Sequence, residues 1–496
     1  MTTQFLDALQ NQGNRTLTEN GAPAYATTKS DLLDFFALGG ALRSRTPAEQ
    51  NNLFARAWNE NPELALKALF YFRDVRGGQG QRGAFRNQLN WLAKTEPHAV
   101  AKNLKNVPEF GRWDDLYALE GTPVEDDVWK LIHVQLMEDL VSSQGEGDGV
   151  SLLAKWLKST YASSEESKRL ARKTRKSFGW SEKHYRKVVS DLRAKIGIVE
   201  RQLEAGDWDK VDYSAVPSQA MLKYRKAFRA HDEDRFSGFI DSVNKGEVKI
   251  NASTLYPHQI VGKLLSYNDD MRADDAQALW NALPDYIPEG ESAICVVDVS
   301  ASMNGTPIEV AIALGLYTAE RAKGPYKDHF ITFSAKPQLQ RVSGDNIKAK
   351  VDGLRRAHWE MNTNIERVFD LILDTAVSNN MPQEDMVDKL YIISDMEFDD
   401  ATTEGWGNHD RAPDKTLFTT IRERYEAAGY HMPNLVFWNV DARNDQFPMS
   451  MDERGFQMVS GFSPSIFEHL VGGEFISAYD IMLKVLTSPR YENVTL

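Results

Sequence analysis

A short polar segment follows an apolar run in the C-terminal half of the chain. The segment is DVSASMNGT, Asp298 to Thr306, and the run before it is SAICVV, residues 292–297. An aspartate and two serines alternate at positions 298, 300 and 302. At the end of a buried strand, such oxygen-bearing side chains suit nucleophilic catalysis, phosphate binding or metal binding. The neighbouring residues must discriminate between these three kinds of chemistry.

The flanking sequence argues against three motifs. A nucleophile elbow requires G-x-S-x-G, and no glycine flanks Ser300 or Ser302 in that pattern. A phosphoaspartate enzyme favours a second aspartate two positions on, where this chain has Ser300. A P-loop requires G-x-x-x-x-G-K-[ST], which the segment lacks. Two alternatives stay open: a helix cap, and a Mg²⁺ site to which the serine hydroxyls and strand-end aspartates contribute oxygen atoms.

Strands and helices alternate around this segment. Short apolar runs rich in β-branched and aromatic residues occupy 293–297, 329–333, 389–394 and 434–440. Helical patterns lie between them at 308–322, 365–377 and 417–429. The alternation predicts a mainly parallel, Rossmann-like sheet covered by helices. Ligands of such sheets bind at the carboxyl ends of the strands, where both Asp298 and Asp395 are expected.

The first 285 residues have the pattern of helices joined by short loops. Within 128–141, for example, Val128, Ile132, Leu136 and Leu140 recur at helical spacing on one face. We therefore predict a multidomain chain. Residues 1–285 would form an all-α, HEAT-like helical array that could close into a ring, and residues 286–496 an α/β domain.

Composition limits the functional classes further. The chain has 496 residues, a net charge of −13 and a mean hydropathy of −0.47. It has no apolar run near 18 residues, and its N-terminal sequence lacks the pattern of a secretory signal. Cys295 is the single cysteine, which excludes an intrachain disulfide and a cysteine-based zinc cluster. These features favour a cytoplasmic protein without a membrane partner.

Charge is distributed unevenly along the chain. From Pro288 onward there are 19 Lys and Arg against 32 Asp and Glu, so the C-terminal part carries the whole acidic excess. A basic cluster lies in the helical part, with Phe178, Trp180 and Tyr185 interleaved, as in surfaces that bind phosphates and stack unpaired bases. The alternative is a solvated helix face with core aromatics. The candidate RNA contacts of this cluster are Lys168, Arg169, Arg172, Lys173, Arg175, Lys176, Lys183, His184, Arg186 and Lys187.

Four more arginines are candidate RNA contacts. Arg73, Arg76 and Arg82 occur in RDVRGGQGQRG, residues 73–83, which lacks a Lys-Ser/Thr pair and follows no predicted strand. A turn between helices, with the three arginines on one rim, is therefore favoured over a phosphate cradle. Arg112 in FGRWDD is expected on the same surface, and its pairing with a nearby acid is an equal alternative.

Residues 288–496 resemble von Willebrand factor A domains that carry a metal-ion-dependent adhesion site. The resemblance rests on D-x-S-x-S together with the aspartate of IISDMEF. It implies that Mg²⁺ or another divalent cation is bound by Asp298, Ser300, Ser302, Thr363 and Asp395. Thr363, in HWEMNTNIERVF, departs from the common Gly-Gly-Thr form of that family.

Nearly the whole chain resembles Ro/TROVE-type ribonucleoproteins, and more closely their poorly characterised relatives in bacteriophages and eukaryotes. The segments that carry this resemblance are 18–25, 65–97, 107–119, 211–228 and 255–265. The resemblance implies helical repeats that close into a ring with the A domain and bind RNA. A bacterial or phage-infected cell would be the setting.

We therefore expect a monomeric, non-enzymatic, Ro-like protein that binds structured or single-ended RNA, with the Mg²⁺-binding domain closing or docking the ring. The alternative is a protein-recognition or assembly scaffold whose metal site binds an acidic residue of a partner protein. An enzyme is not favoured, because no general base with a defined partner is visible in the sequence.

Overall fold

A computed structural model describes most of the chain. The described residues are 14–145, 149–287, 289, 292–333, 337–356, 364–399, 417–470 and 477–496. Thr363, one of the five predicted metal ligands, lies outside them. Within these ranges no helix combines the length and the apolar character needed to cross a membrane.

The N-terminal region is helical, as predicted, but it begins with a short hairpin that the all-α prediction did not include. The hairpin pairs β1 (Arg15–Leu17) with β2 (Pro23–Tyr25). The helices that follow are α1 (Asp31–Gly39), α2 (Pro47–Glu60), α3 (Pro62–Arg73), α4 (Gly83–Thr95), α5 (Pro97–Lys102), α6 (Asn106–Phe110), α7 (Glu125–Ser142), α8 (Leu153–Trp156), α9 (Glu165–Ser177), α10 (Glu182–Lys195), α11 (Val199–Ala205), α12 (Ser218–His231), α13 (Glu233–Asn244), α14 (Pro257–Leu265) and α15 (Ala273–Asn281).

Local sequence explains where several of these helices begin. At the start of α2 the Thr46 side chain accepts a hydrogen bond from the Glu49 backbone N–H, and the Glu49 carboxylate accepts one from the Thr46 N–H at 2.8 Å. Pro47 occupies the first turn, where the missing N–H has no helical partner to lose. Asn61 caps α3 in the same way, accepting from the Leu64 N–H at 3.0 Å.

The C-terminal region is a mixed six-stranded sheet with helices between its strands. Its strands are β3 (Ala293–Val297), β4 (His329–Thr332), β5 (Leu339–Arg341), β6 (Lys389–Ser394), β7 (Asn434–Asn439) and β8 (Phe456–Ser460). Their order is β5-β4-β3-β6-β7-β8, and every neighbouring pair is parallel except β4 with β5. The helices are α16 (Thr306–Arg321), α17 (Ile347–Arg356), α18 (Glu366–Asn379), α19 (Leu417–Ala427) and α20 (Ala478–Leu486).

The register of the two central strands places the predicted ligands together. Val297 of β3 lies opposite Ile393 of β6, and the Asp298 N–H donates to the Ile393 carbonyl at 3.0 Å. Every residue of β3 and β6 is buried. Because both strands end at the same edge, Asp298 and Asp395 enter the polar loops there side by side.

The helical region packs directly against the sheet. Ser460, the last residue of β8, donates its hydroxyl to the Phe36 carbonyl at 3.1 Å and accepts from the Gly40 N–H at 2.9 Å. Gly40 is required at this contact, because a Cβ there would lie 2.2 Å from the Ser460 carbonyl oxygen. The buried apolar side chains of both regions form one continuous cluster. The boundary expected near residue 285 therefore separates two kinds of secondary structure that share a core.

Candidate functional site

Asp298 is fully buried at the carboxyl edge of the sheet. Its Oδ1 accepts from the Ser300 N–H at 2.9 Å, and its Oδ2 accepts from the Ser394 hydroxyl at 2.6 Å. Burial, and secondarily the charge of Asp395, raises the pKa of Asp298 to about 6. An additional cation next to these two carboxylates would favour their ionised form.

The two serines connect Asp298 to Asp395. The Ser300 and Ser302 hydroxyl oxygens are 3.0 Å apart, and Ser302 donates in turn to the Asp395 carboxylate. Burial raises the pKa of Asp395, whereas the bond from Ser302 opposes that rise. The structure therefore brings together Asp298, Ser300, Ser302 and Asp395, four of the five ligands predicted from sequence.

An arginine that the sequence reasoning missed completes this edge. Arg443 Nη2 lies 2.5 Å from Asp395 Oδ2, and the same guanidinium is 3.7 Å from carboxylate oxygens of Glu19 and Asp441. Next to it, Asn444 donates to the buried Glu397 at 2.8 Å. The available signal was position: DARND, residues 441–445, directly follows the predicted strand at 434–440.

The chemistry of these donors fits a small, hard cation. All the candidate ligand atoms are carboxylate or hydroxyl oxygens, the type that Mg²⁺ prefers. In the described ranges no three His, Cys, Asp or Glu side chains form a group that could hold a metal ion, so a site here depends on the hydroxyls of Ser300 and Ser302. Asp298 would act through its charge, since both its oxygens already accept hydrogen bonds.

The predicted basic cluster lies on α9 and α10, and some of its cations are paired within the protein. Lys168 lies 2.6 Å from Glu165. Arg169 and Lys173 both contact Glu120, at 2.5 and 2.8 Å, and these bonds lower the pKa of Glu120 to about 2. Because these three cations are paired with glutamates, they contribute less positive charge to the protein surface than three unpaired cations would.

Other members of the cluster face solvent. Lys176, Lys183 and Lys187 are exposed, and none of them forms an ion pair with a residue that the structure describes. Arg172 is exposed on α9, where its charge acts on Glu165, and His184 is exposed against the edge of Trp180. Arg175, half-buried, donates to the Trp180 carbonyl at 3.2 Å.

The aromatic residues of the basic cluster pack with the core, which is the alternative that the sequence left open. Tyr185 is buried, with its hydroxyl on the Lys158 carbonyl, and the half-buried Phe178 packs against the core with its ring stacked on His133. Tyr161, which the sequence reasoning missed, is 67% exposed. The Arg186 guanidinium lies 4.1 Å from the centre of its ring and donates to its hydroxyl at 3.2 Å. Its signal was a tyrosine in a polar loop, STYASS, directly before the basic helices.

The structure corrects one of the four other arginines. Residues 74–82 connect α3 to α4, as predicted, and Arg76 and Arg82 are exposed there. Arg73 is only 2% exposed and is ion-paired with the buried Asp115 at 2.7 Å, so its placement on an RNA-facing rim was wrong. Arg73 is the last residue of the apolar helix α3, and its side chain lies on the face of that helix that packs into the protein.

Arg112 is engaged within the protein. Its Nε lies 3.1 Å from Asp114, and its guanidinium stacks 4.1 Å from the centre of the Trp156 ring. Burial lowers its pKa, which Asp114 opposes. The pairing alternative is therefore the one that the structure shows.

The chain is similar to two domain families, a viral protein and a solved structure, and their descriptions name no activity. Residues 18–144 and 142–287 match the model of a domain of unknown function, DUF2828, and residues 292–485 match that of another, DUF7788. The chain is 29% identical to an uncharacterized protein, L728, of Acanthamoeba polyphaga mimivirus, across 95% of this chain and 87% of that protein. It also aligns with the crystal structure of the Deinococcus radiodurans Ro (RSR) protein, at 13% identity and a TM-score of 0.37, over 93% of this chain and 99% of that one.

Proposed function

The chain belongs to the DUF2828 family, and we propose that it is a non-enzymatic RNA-binding protein of the Ro/TROVE type. The observation that carries the proposal is the surface of α9 and α10. Residues 165–195 hold eleven Lys and Arg against four Asp and Glu, although the whole protein has a net charge of −13. A concentrated positive patch on an acidic protein favours a polyanionic ligand.

The solvent-facing members define this RNA surface: Arg172, Lys176, Lys183, Arg186, Lys187 and Tyr161. Lys183 and Lys187 are four residues apart on α10, which places them on one face of the helix. Phosphates of RNA would bind along this face. The exposed ring of Tyr161, with Arg186 held against it, would stack an unpaired base.

Fluorescence anisotropy with a labelled single-stranded RNA, titrated at several salt concentrations, tests this proposal. We expect Tyr161→Ala to weaken binding about 10-fold, because stacking one base contributes about 1–3 kcal/mol, while the dependence on salt stays unchanged. Tyr161→Phe keeps the ring and should bind like the wild type. Wild-type binding no tighter than that of an unrelated protein of equal charge would refute the RNA proposal itself.

We also propose that the sheet region is a von Willebrand A-type domain whose carboxyl edge binds Mg²⁺. Ser300, Ser302 and Asp395 would supply oxygen atoms, Asp298 would balance charge, and Thr363 is the fifth proposed ligand. The bound cation would offer an open coordination position for an acidic group of RNA or of a protein. The support is the convergence of hydroxyls and buried carboxylates at one edge.

Isothermal titration calorimetry with Mg²⁺ and Mn²⁺ tests the metal site directly. Asp298→Ala is expected to abolish the binding heat, because it removes a buried negative charge beside the ligands. Asp452→Ala, which removes an exposed carboxylate that pairs with Lys29, is the matched control and should leave binding unchanged. Equal heats from the wild type and Asp298→Ala would contradict the assignment.

A further inference from the structure

Arg443 has an unusual position for an arginine beside a proposed cation site. It lies in the loop after β7, and its guanidinium is within 4 Å of carboxylate oxygens from Asp395, Glu19 and Asp441. The shortest of these contacts, 2.5 Å, is to Asp395, the carboxylate that also accepts from Ser302. A permanent positive charge therefore already acts on one of the proposed ligands.

The guanidinium and a divalent cation would compete for Asp395. An ion bound through Ser302 and Asp395 would share this carboxylate with Arg443, and two positive charges on one buried carboxylate repel each other. Asp395 is only 1% exposed, so water screens the repulsion poorly. The guanidinium occupies Asp395 Oδ2, so a divalent cation that binds through this oxygen has to displace it.

The ion pair of Arg443 with Asp395 should break more easily than a buried ion pair that only stabilises the fold. Its side chain is 29% exposed, and its Nε, which is buried, has no hydrogen-bond partner among the described residues. The ion pair of Arg73 and Asp115 offers a comparison within the same protein. There the arginine is 2% exposed and donates from both Nε and Nη2, at 2.8 and 2.7 Å. Arg443 holds Asp395 with fewer bonds and with a path to solvent.

We infer that Arg443 is an internal counter-ion that occupies the cation position at Asp395 and exchanges with the divalent cation. The inference rests on the proposed metal site and adds a residue that sets its affinity. Binding of the metal requires the Arg443 side chain to move away from Asp395. The neighbouring Asn444 holds Glu397, whose other carboxylate oxygen accepts from the Glu19 N–H at 2.7 Å, so this movement occurs next to the N-terminal hairpin.

Calorimetric titration of the full chain with Mn²⁺ and Mg²⁺ tests the exchange. Arg443→Gln is expected to bind Mn²⁺ about 10-fold or more tightly than the wild type, because the charge-assisted hydrogen bond from Arg443 to Asp395 no longer has to be broken. Arg443→Lys keeps the charge and should not show this gain. Arg424→Gln, which removes an arginine paired with Glu366 and Asp370 elsewhere on the sheet region, is the control and should match the wild type.

A thermal unfolding series adds a readout that does not depend on binding heats. In EDTA, Arg443→Gln should unfold at a lower temperature than the wild type, because Asp395 has lost its counter-ion, and Mn²⁺ should raise the unfolding temperature of this variant more than that of the wild type. Equal or weaker Mn²⁺ binding by Arg443→Gln, with clear binding by the wild type, overturns the exchange alone. Absence of binding by both proteins overturns the metal site as well.

Discussion

Replacing Lys176, Lys183, Arg186 and Lys187 with glutamine is expected to lower the affinity for single-stranded RNA about 100-fold or more at about 0.1 M salt. Each phosphate contact releases condensed counterions, and the logarithm of the binding constant falls with the logarithm of salt concentration by about 0.7 per contact for single strands. The five cations of the RNA surface therefore predict a slope of about −3.5 in the wild type, of which these four supply about −3. The variant should lose most of that slope together with its affinity.

A control of equal charge separates a local surface from the net charge. Lys130, Lys210, Lys226 and Arg272 are all exposed and lie outside α9 and α10, each paired with an acid. Changing these four to glutamine alters the net charge by the same amount, yet RNA affinity should change less than about 3-fold. Equal losses in both variants would show that binding follows total charge and that α9 and α10 form no specific surface. Circular dichroism should confirm that both variants remain folded.

The carboxyl edge of the sheet was predictable because its determinants are local. Strands buried on both faces need continuous apolar residues, so AICVV and KLYIIS mark β3 and β6, and the first polar residue after each strand marks the edge. Parallel pairing then aligns the two ends, as the register of Val297 with Ile393 shows. Asp298, Ser300, Ser302 and Asp395 follow from that pattern. Arg443 does not, because its approach to Asp395 depends on the path of a loop 48 residues farther along the chain.

The basic surface was only partly predictable for the same reason. The sequence shows which residues are cationic, but Glu120, which pairs with both Arg169 and Lys173, lies about 50 residues earlier in the chain. Exposure also depends on helix packing: Tyr185 is buried on α10, whereas Tyr161 remains open in the preceding loop. Charge density along the sequence therefore located the region, and tertiary contacts determined which of its members face solvent.

Arg73→Met is expected to lower the free energy of unfolding by about 1.5–3 kcal/mol, because the buried carboxylate of Asp115 loses its charge-assisted bonds from Arg73 but keeps its other donors. Asp115 is fully buried and accepts from Arg73, from Arg86 at 2.7 Å and from the Arg112 N–H at 3.0 Å. Gly111 allows this close packing, because a Cβ there would lie 2.4 Å from Asp115 Oδ2. Methionine fills the space of the arginine stem but supplies no donor to the carboxylate.

Arg76→Met is the matched control three residues later. The Arg76 side chain is exposed and donates to the Glu109 carbonyl at 3.3 Å, so its loss should change stability by less than about 0.5 kcal/mol. Urea unfolding, followed by circular dichroism, measures both variants at one pH. If Arg73→Met lowers the free energy of unfolding by less than about 1 kcal/mol but weakens RNA binding, Arg73 contacts RNA. The structural role assigned to Arg73 is then refuted. A loss of stability with unchanged RNA affinity in the folded fraction establishes that the ion pair of Arg73 with Asp115 stabilises the packing of α3 and α4. The exposed residues Arg76 and Arg82 project from the connection between these two helices.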